Sequence, residues 1–279
     1  MTTTLRPTGP LSTSDDGARS RPYEVCVNSR PVGTARIETV PEFGSKVGRI
    51  ASLHIEEPDR RRGRGTVAAL AAEEVLRGWG CDQVVISVPA DAEAAGRMAT
   101  ALGYVERSRN MLKDLPAEPP PLPADVSFRP VTQEEYDAWR AQDTAHFAQS
   151  WIDRGLTPAQ ARAKAETSER RFLPRGLATP HTWVSRLLRD GAPVGLLWLG
   201  RSETEPGEWS AFVYAVEVDE DQRGRGYGRA LMTAAERIAL QAGERRIGLH
   251  VFAGNTPALR LYDSLGYRTT TVNSFKQLL

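Results

Sequence analysis

The segment of this chain best suited to chemistry is a loop rich in glycine and arginine in its second half. Three glycines in five residues let the backbone approach a ligand closely and adopt positive φ angles. Successive N–H groups of such a loop, together with the start of a following helix, form a concave site for an anion. This composition predicts a phosphate or pyrophosphate site, and a solvated turn is the alternative. The loop consists of Arg223, Gly224, Arg225, Gly226, Tyr227, Gly228 and Arg229.

The flanking sequence places this loop between a strand and a helix. A β-rich run over 211–218 precedes it. From Arg225 onward, apolar residues recur at helical spacing until Gly243, which predicts a helix that ends there. A strand over 247–252 and a short helix that begins at Thr256 follow. The loop therefore lies at a strand-to-helix junction.

The segments before this junction predict the fold class. Thr132 and Glu135 have the spacing of a capping box and predict a helix that runs to about Ile152. Thr157, followed by proline, predicts the start of a second helix. Asp190-Gly191 between two β-rich runs predicts a hairpin. The order of two helices, three strands, helix, strand, helix and strand predicts an α/β fold with a mixed sheet flanked by helices.

The two halves of the chain resemble each other in sequence. Three short matches occur in the same order at offsets of 161 to 163, which indicates an internal duplication and a period far too long for a solenoid. The first copy begins at a hairpin near Tyr23 and has no room for the two opening helices. Arg30-Pro-Val-Gly33 matches Ala192-Pro-Val-Gly195, Arg62-Gly-Arg-Gly65 matches Arg223-Gly-Arg-Gly226, and Leu102-Gly-Tyr104 matches Leu265-Gly-Tyr267.

A proline-rich segment separates the two copies. Five prolines within 115–123 cannot continue a helix and favour an extended spacer. We therefore predict a disordered tail over 1–21, a first domain over 22–115, a linker over 116–124 and a second domain over 125–279.

Two motifs of the second half resemble those of the GNAT N-acetyltransferase superfamily. Arg223-x-x-Gly226-x-Gly228 is similar to the family's cofactor signature and lies between a strand and a helix, as it does in the family. The segment from Asn255 to Tyr267 resembles the family's second cofactor motif. The resemblance covers 125–279 and, more weakly, 22–115, and it implies two tandem GNAT-like domains. The loop has neither the Gly-Lys-Ser/Thr of a Walker A motif nor the glycine spacing of a dinucleotide-binding turn.

The resemblance implies that the chain binds acetyl-CoA or another acyl-CoA and uses no metal. The pyrophosphate would bind the amides of 223–229, and backbone groups at Val216 and Val218 would hydrogen-bond the pantetheine arm and polarise the thioester carbonyl. Asn255 would contact the same arm. Tyr262 would protonate the departing thiolate. The alternatives are a packing role for Tyr262 and a helix-entry role for Asn255.

Transfer to an amine also needs a group that removes a proton from the acceptor. Glu217 is the candidate, because it is the one acid in the run 211–218 and lies next to the expected thioester. Strand alternation places its side chain opposite those of Val216 and Val218. A wet sheet surface or an arginine partner is the alternative. We expect the acceptor to be the primary amine of a small molecule.

Histidines and aromatic residues of the second half are further candidates for the acceptor pocket. A structural or surface position is the more usual role for a lone histidine, and core packing for an aromatic residue. The candidates are His146, His181, Trp139, Phe147, Trp151, Trp183 and Trp198.

The first copy is predicted to be catalytically silent. When the two Arg-Gly-Arg-Gly runs are aligned, Val67 stands where Gly228 stands, and its β-branched side chain would crowd a pyrophosphate. Counting back from the shared Leu-Gly-Tyr, alanine replaces both members of the second motif. Residual CoA binding is the alternative. These alanines are Ala92 and Ala99.

Composition and charge argue against several other classes of protein. Over 279 residues, 36 basic and 35 acidic residues give a net charge of +1, which disfavours a dedicated binder of nucleic acid or of anionic membranes. Cys26 and Cys81 are too few for a disulfide framework and lack metal-site spacing. No apolar run is long enough for a transmembrane helix, and the first twenty residues lack the apolar core of a signal peptide. We predict a cytoplasmic protein and leave homodimerisation open.

The leading hypothesis is an acetyl-CoA-dependent N-acetyltransferase that acts through its second copy. One alternative is transfer of a longer acyl group, from acyl-CoA or from a carrier-bound thioester, within a biosynthetic pathway. The other is an acyl-CoA-binding module without turnover.

Overall fold

The protein forms two compact units in a computed structural model that describes residues 2–44, 46–119, 121–152, 157–205 and 207–278. Unit 1 comprises Met1–Asn110, Val251–Thr256 and Thr269–Leu279, and unit 2 comprises Met111–His250 and Pro257–Arg268.

Strands and helices alternate along most of the chain, and the predicted α/β class with a mixed sheet is confirmed. The strands are β1 (Thr3–Pro7), β2 (Ser12–Thr13), β3 (Arg19–Val27), β4 (Arg30–Thr39), β5 (Val47–Ile55), β6 (Gln83–Pro89), β7 (Val105–Asp114), β8 (Val126–Pro130), β9 (Trp183–Arg189), β10 (Ala192–Glu205), β11 (Glu208–Val218), β12 (Arg246–Phe252) and β13 (Arg268–Gln277). The helices are α1 (Arg64–Gly78), α2 (Glu93–Ala101), α3 (Gln133–Ile152), α4 (Pro158–Phe172), α5 (Tyr227–Gln241) and α6 (Thr256–Ser264).

Unit 1 contains a sheet with the strand order β1-β3-β4-β5-β6-β13, and β2 pairs with β3. Neighbouring strands are antiparallel except β5 and β6, which are parallel. Helix α1 packs on this sheet, where Val25, Ile37, Ala72 and Leu76 are fully buried in the core. The apolar face of one helix on one sheet accounts for this core.

Unit 2 contains a sheet with the strand order β12-β11-β10-β9-β8, antiparallel except for the parallel pair β11 and β12. Helix α5 packs against β9, β10 and β11 through buried residues that include Leu231 and Met232. Helices α3 and α4 pack against each other. A second core cluster contains Val131, Trp139 and Trp198.

Local sequence signals in the second half are confirmed. The Thr132 amide donates to Glu135 Oε2 at 2.8 Å, and the Glu135 amide donates to Thr132 Oγ1 at 3.2 Å, so the capping box starts α3. Asp190 and Gly191 both have positive φ angles, 48° and 83°, in the turn of the β9–β10 hairpin. Strand β8 is not predicted, because its five residues follow the prolines and carry no clear alternation; it pairs with β9.

The beginning of the chain differs from the expectation of a disordered tail. Residues 3–7 form β1 and pair with 23–27 of β3. Leu5 packs against the core of unit 1, whereas Thr3, Thr4 and Arg6 are polar. Arg6 forms an ion pair with Glu24 across the strands at 2.5 Å. Backbone pairing needs no apolar side chains, so composition alone gives no sign of this strand.

The two units do not coincide with the two halves of the sequence. The last strand of the chain belongs to unit 1, where 271–277 of β13 pair with 83–89 of β6. Residues 111–114, at the end of β7, belong to unit 2. Each unit therefore contains the C-terminal end of the other sequence half. The sequence matches hold no sign of this exchange, because equivalent strands carry equivalent patterns.

Candidate active site

The two parallel strands of unit 2 separate where the candidate site lies. Among the described residues, β11 pairs with β12 at Ala211, Phe212 and Val213 and at no later position, although β11 continues to Val218. The pairing with β10 steps from Val213 to Ala215, so Tyr214 forms a bulge at the same place. The splay leaves backbone groups of 214–218 available on the β12 side. This is the arrangement that the resemblance implies for Val216 and Val218, both half-buried.

The glycine-rich loop has the backbone conformation that its composition predicts. Gly224 and Gly226 have φ angles of 77° and 87°, in the left-handed region where a side chain is strained. Gly226 is the residue before α5, so the helix starts at Tyr227, two residues later than the sequence predicts. A Cβ atom built on either glycine meets nothing within 4 Å, so the space beside both glycines is open.

The amides of this loop are not used by the protein itself. Within the part of the chain that the structure describes, the N–H groups of 224–228 donate to no backbone or side-chain acceptor. The next amide, that of Arg229, bonds to the Gly226 carbonyl at 3.0 Å. Five consecutive open donors at a helix N-terminus fit a diphosphate, because the helix dipole and the N–H groups both favour negative charge there.

The arginines of the loop keep their charge at the surface. Arg223, Arg225 and Arg229 are all exposed. The Arg223 Nε donates to the Val218 carbonyl at 3.4 Å, which ties the loop back to the end of β11. Tyr227 is buried, and its hydroxyl accepts a hydrogen bond from Arg189 Nη1 at 2.9 Å. Tyr227 can therefore serve an anion through its backbone amide and not through its side chain.

The start of α5 packs directly on α6. A Cβ atom on Gly228 would lie 3.2 Å from Leu261 Cδ2. Arg229 Nη2 also donates to Ser264 Oγ at 2.6 Å. The missing side chain of Gly228 thus makes room for helix α6. The sequence analysis had explained this glycine by the space that a pyrophosphate needs. The contact connects the loop to the helix that carries Tyr262.

Tyr262 lies in α6 with 9% of its surface exposed. Its ring packs against that of Tyr267, with centroids 5.8 Å apart. Burial raises the pKa of the Tyr262 hydroxyl above its ordinary value. The hydroxyl has no hydrogen bond to any described residue, so its proton is available to a ligand. A tyrosine that is protonated at neutral pH can act as an acid.

Glu217 is exposed and lies between Val216 and Val218 at the end of β11, as alternation predicts. Its Oε1 accepts a hydrogen bond from the indole Nε1 of buried Trp139 at 3.2 Å. The sequence suggested water or an arginine as the alternative neighbours of this carboxylate, and it missed the indole. One Glu217 oxygen is held by α3, and this fixes the direction of the carboxylate.

The aromatic candidates nearest to Glu217 lie in a buried cluster. The Trp139 and Trp198 rings are 5.6 Å apart in an edge-to-face arrangement, and Tyr214 stacks on Trp198 at 4.7 Å. The Arg140 guanidinium lies over both indoles, 5.3 and 5.9 Å from their centroids, and pairs with Asp143 at 2.8 Å. Trp139 and Trp198 belong to the core of unit 2, in agreement with the packing alternative. The sequence analysis missed Tyr214 and Arg140, which no motif marks.

The remaining acceptor candidates occupy less enclosed positions. His146 and His181 are exposed, and Phe147 and Trp183 are half-buried. The side chain of Trp151 lies outside the described residues.

Asn255 belongs to unit 1, unlike the other candidate site residues. It is exposed in the turn between β12 and α6, where its backbone N–H donates to the Phe252 carbonyl at 3.0 Å. Its contact with a cofactor stays a prediction.

Unit 1 contains an equivalent of the glycine-rich loop in a different register from the one the sequence analysis chose. Helix α1 follows left-handed Gly63, and Arg61 two residues earlier also has a positive φ angle, 57°. Gly226 and Gly224 occupy the equivalent positions before α5, each 163 residues later in the chain than Gly63 and Arg61. The equivalent motif is therefore Arg60-x-x-Gly63-x-Gly65, and the assignment of Val67 to the place of Gly228 was wrong. The repeated Arg-Gly-Arg-Gly letters misled the alignment by two residues.

The same offset of 163 residues aligns the remaining site residues of the two units. Ala92 and Ala99 take the places of Asn255 and Tyr262, and α2 takes the place of α6. Strands β5 and β6 pair at 47–49 with 83–85 and then separate, as β11 and β12 do. An open cleft of about 510 Å³ beside them is lined in part by His54, Arg60 and Ala92. Unit 1 thus keeps the loop and the splay and lacks the tyrosine.

The described residues contain no group of three or more His, Cys, Asp or Glu placed to hold a metal ion. None of the helices in the described ranges has the length and apolarity needed to cross a bilayer.

Comparison with known proteins finds one family. The model of the acetyltransferase (GNAT) family matches residues 5–104 and 129–267. A mycothiol acetyltransferase of Cellulomonas flavigena is 31% identical over 255 residues, which cover 87% of this chain and 69% of that protein. The uncharacterized N-acetyltransferase YycN of Bacillus subtilis is 33% identical over 155 residues, 55% of this chain and 99% of that protein.

A solved structure supports the tandem arrangement. The structure of a tandem GNAT protein from the clavulanic acid biosynthesis pathway aligns with a TM-score of 0.53 at 18% identity, covering 95% of this chain and 85% of that one. At this identity the likeness concerns the fold alone.

Proposed function

Because the chain belongs to the GNAT acetyltransferase family, we propose that it transfers an acetyl group from acetyl-CoA to the primary amine of a small molecule, with unit 2 as the catalytic unit. The observation that carries the proposal is the combination, in unit 2, of a loop with five open amides, a splayed strand and a buried tyrosine on the adjoining helix.

The residues of unit 2 fit the diphosphate part of acetyl-CoA. The amides of 224–228 have no protein acceptor among the described residues, and the space beside Gly224 and Gly226 is empty of protein atoms. Exposed Arg223, Arg225 and Arg229 add positive charge, and backbone groups of Val216 and Val218 would bind the pantetheine arm. When bound, acetyl-CoA supplies an acetyl group activated as a thioester.

Glu217 and Tyr262 would divide the proton transfers between them. The carboxylate of Glu217 would take a proton from the acceptor amine, directly or through one water molecule, while the Trp139 indole holds one of its oxygens in place. The Tyr262 hydroxyl would give its proton to the leaving thiolate, and burial supports this role because it keeps the group protonated.

The acceptor is proposed as a small molecule on two grounds. Two relatives that align over 87% and 78% of the chain are named mycothiol acetyltransferases, which favours a small-molecule acceptor. The net charge of +1 offers no broad electrostatic attraction to a polyanionic partner.

Release of free CoA thiol from acetyl-CoA, measured with a panel of primary amines, amino acids, polyamines and amino sugars, tests the proposal. At least one amine should accelerate release, and mass spectrometry should find that amine heavier by one acetyl group. A preference for longer acyl-CoA donors or for carrier-bound thioesters would contradict the acetyl assignment. Tight CoA binding with no amine-dependent release would instead favour a module without turnover.

We further propose that unit 1 binds CoA without turning it over. The register of Arg60-x-x-Gly63-x-Gly65 carries this second proposal, because it restores the loop that the sequence alignment had judged defective. Ala99 in place of Tyr262 removes the acid. Calorimetry with CoA should give a stoichiometry of about two per chain, and Gly63→Ala, which strains a φ angle of 72°, should weaken one of the two sites about tenfold. A stoichiometry of one in the unaltered protein would contradict the proposal.

A further inference from the structure

Each unit contains the same cluster of a buried glutamate, a buried tyrosine and a half-buried lysine. In unit 1, Lys276 Nζ lies 2.7 Å from Glu73 Oε2 and 5.7 Å from the ring centroid of Tyr104. In unit 2, Lys113 Nζ lies 2.6 Å from Glu236 Oε1 and 5.7 Å from the Tyr267 ring. The two carboxylates are 4% and 1% exposed. The corresponding distances in the two clusters agree to within 0.1 Å.

The duplication relates the two clusters residue by residue, but the lysines are exchanged between the halves. Glu73 and Glu236 differ by 163 positions in α1 and α5, and Tyr104 and Tyr267 differ by the same number. The lysines also differ by 163, but each lies in the unit of the opposite half. Lys113, near the end of the first half, pairs in unit 2, and Lys276, near the end of the second half, pairs in unit 1.

The strands that bring these lysines are also packed by apolar residues. In unit 1, Leu278 joins the core beside the Lys276 strand, and its amide bonds to the Asp82 carbonyl at 2.7 Å. In unit 2, Met111 is 1% exposed, and the amide of Leu115 bonds to the Arg245 carbonyl at 2.8 Å. Each lysine therefore lies on a strand that neighbouring apolar residues and backbone hydrogen bonds fix in its unit.

The choice of lysine at these sites stands out from the composition of the chain. The sequence has 32 arginines and four lysines, and two of the four lysines occupy these equivalent, half-buried positions. An ammonium on a flexible aliphatic stem can run along a tyrosine ring and reach one enclosed carboxylate, whereas a planar guanidinium carries further donors that would need partners.

We propose that buried Glu73 and Glu236 are docking sites for the last strand of the opposite half, so that the two halves of the chain are obligate binding partners and not independently folding domains. A buried carboxylate that loses its lysine keeps an uncompensated charge, which is strongly destabilising. Removal of a strand from one half therefore destabilises the unit built mainly from the other half.

Charge reversal in the full-length chain tests, with a matched control, whether Lys113 pairs with the glutamate of the opposite half. Lys113→Glu places two carboxylates together in unit 2 and should lower the Tm by about 10 °C. Adding Glu236→Lys restores an opposite pair there and should recover at least half of that loss. Adding Glu73→Lys instead gives the same net charge but sets a lysine against Lys276, so the Tm should fall further. Rescue by Glu73→Lys, or equal Tm values for the two double variants, would overturn the proposal.

A cross-link reports on strand exchange even if the reversed variants do not fold. Ser87 of β6 and Asn273 of β13 face each other, with Oγ and Oδ1 2.8 Å apart. The variant Ser87→Cys/Asn273→Cys should form a disulfide within one chain, seen as a faster monomer on a non-reducing gel, while Ser87→Cys alone should not. A covalent dimer would show that the docked strand comes from a second copy, and absence of any cross-link would show that β13 does not dock on β6. Either result would refute the proposal.

Discussion

Replacing Tyr262 by phenylalanine removes one oxygen atom and leaves the packing of the ring unchanged. The residue is 9% exposed, and its ring packs against that of Tyr267 with the two centroids 5.8 Å apart, so the phenylalanine ring fills the same space. Burial raises the pKa of the Tyr262 hydroxyl above its ordinary value, so in the wild-type protein the proton is present at neutral pH. The variant therefore changes only the supply of that proton.

The size of the effect follows from how well water can replace the hydroxyl. Loss of a positioned general acid lowers a rate by about 10²- to 10⁴-fold. The hydroxyl of Tyr267 is enclosed without a partner among the described residues, whereas that of Tyr262 is not enclosed in this way. Because water reaches the Tyr262 position, we expect the lower end, a fall in kcat of about 10²-fold, or about 2.7 kcal/mol of lost transition-state stabilisation.

Steady-state release of CoA thiol, followed from neutral to alkaline pH, measures this effect. The kcat of Tyr262→Phe should fall while the KM for acetyl-CoA changes little, since the hydroxyl acts on the leaving thiolate and not on the bound diphosphate. Tyr267→Phe is the matched control, because it removes a buried hydroxyl from the adjoining ring and should leave kcat within about twofold of wild type. A Tyr262→Phe enzyme with unchanged kcat, or an equal loss in both variants, would refute the assignment of Tyr262 as the acid.

Three further outcomes follow from the geometry. Glu217→Gln should lower kcat mainly at low pH, where the amine is hardest to deprotonate, and pH–rate profiles check this. Gly226→Ala should weaken CoA binding about tenfold in calorimetry, because a side chain at a φ angle of 87° costs about 1–2 kcal/mol. Glu135→Gln should lower the free energy of unfolding at pH 7 by about 1–2 kcal/mol, since Arg129 hydrogen bonds and the Thr132 amide hold the pKa of Glu135 down to about 2. Because that pKa is depressed on folding, the stabilisation is complete above about pH 4.5 and is lost as the pH falls from there towards 2, as urea unfolding at several pH values will show.

Each of these outcomes has a control or a contrary result. A pH-independent loss in Glu217→Gln would leave that residue with a structural role only. Gly228→Ala controls for Gly226→Ala, because it lies at an ordinary φ angle and meets only the flexible end of Leu261. If both glycine variants bind CoA equally, strain in the loop does not govern affinity. A Glu135→Gln defect that persists at pH 2 would exclude the ionised carboxylate as its cause.

Features set by a few adjacent residues were predictable from the sequence. The capping box at Thr132, the hairpin turn at Asp190 and the left-handed glycines of the loop each depend on backbone conformations that specific residue types favour. The position of Tyr262 on the helix after the second parallel strand followed from the family resemblance.

Features set by long-range packing were not predictable. The indole of Trp139 lies 78 residues from Glu217 in sequence, and nothing in either segment pairs them. The shift of the first loop to Gly63 depends on which glycine precedes α1, and the repeated letters fit two registers equally well. The exchange of β13 could not be read either, since duplicated strands offer duplicated pairing patterns.

The place of β13 has a consequence for synthesis of the protein on the ribosome. The N-terminal unit lacks the strand beside β6 until the final residues of the chain, Leu278 among them, have been translated. About 190 residues follow β6, so at 5–20 residues per second the nascent chain spends roughly 10 to 40 s with that strand edge open. An uncovered edge of this kind pairs readily with other strands, so we expect overproduced protein to aggregate during translation unless a chaperone shields β6.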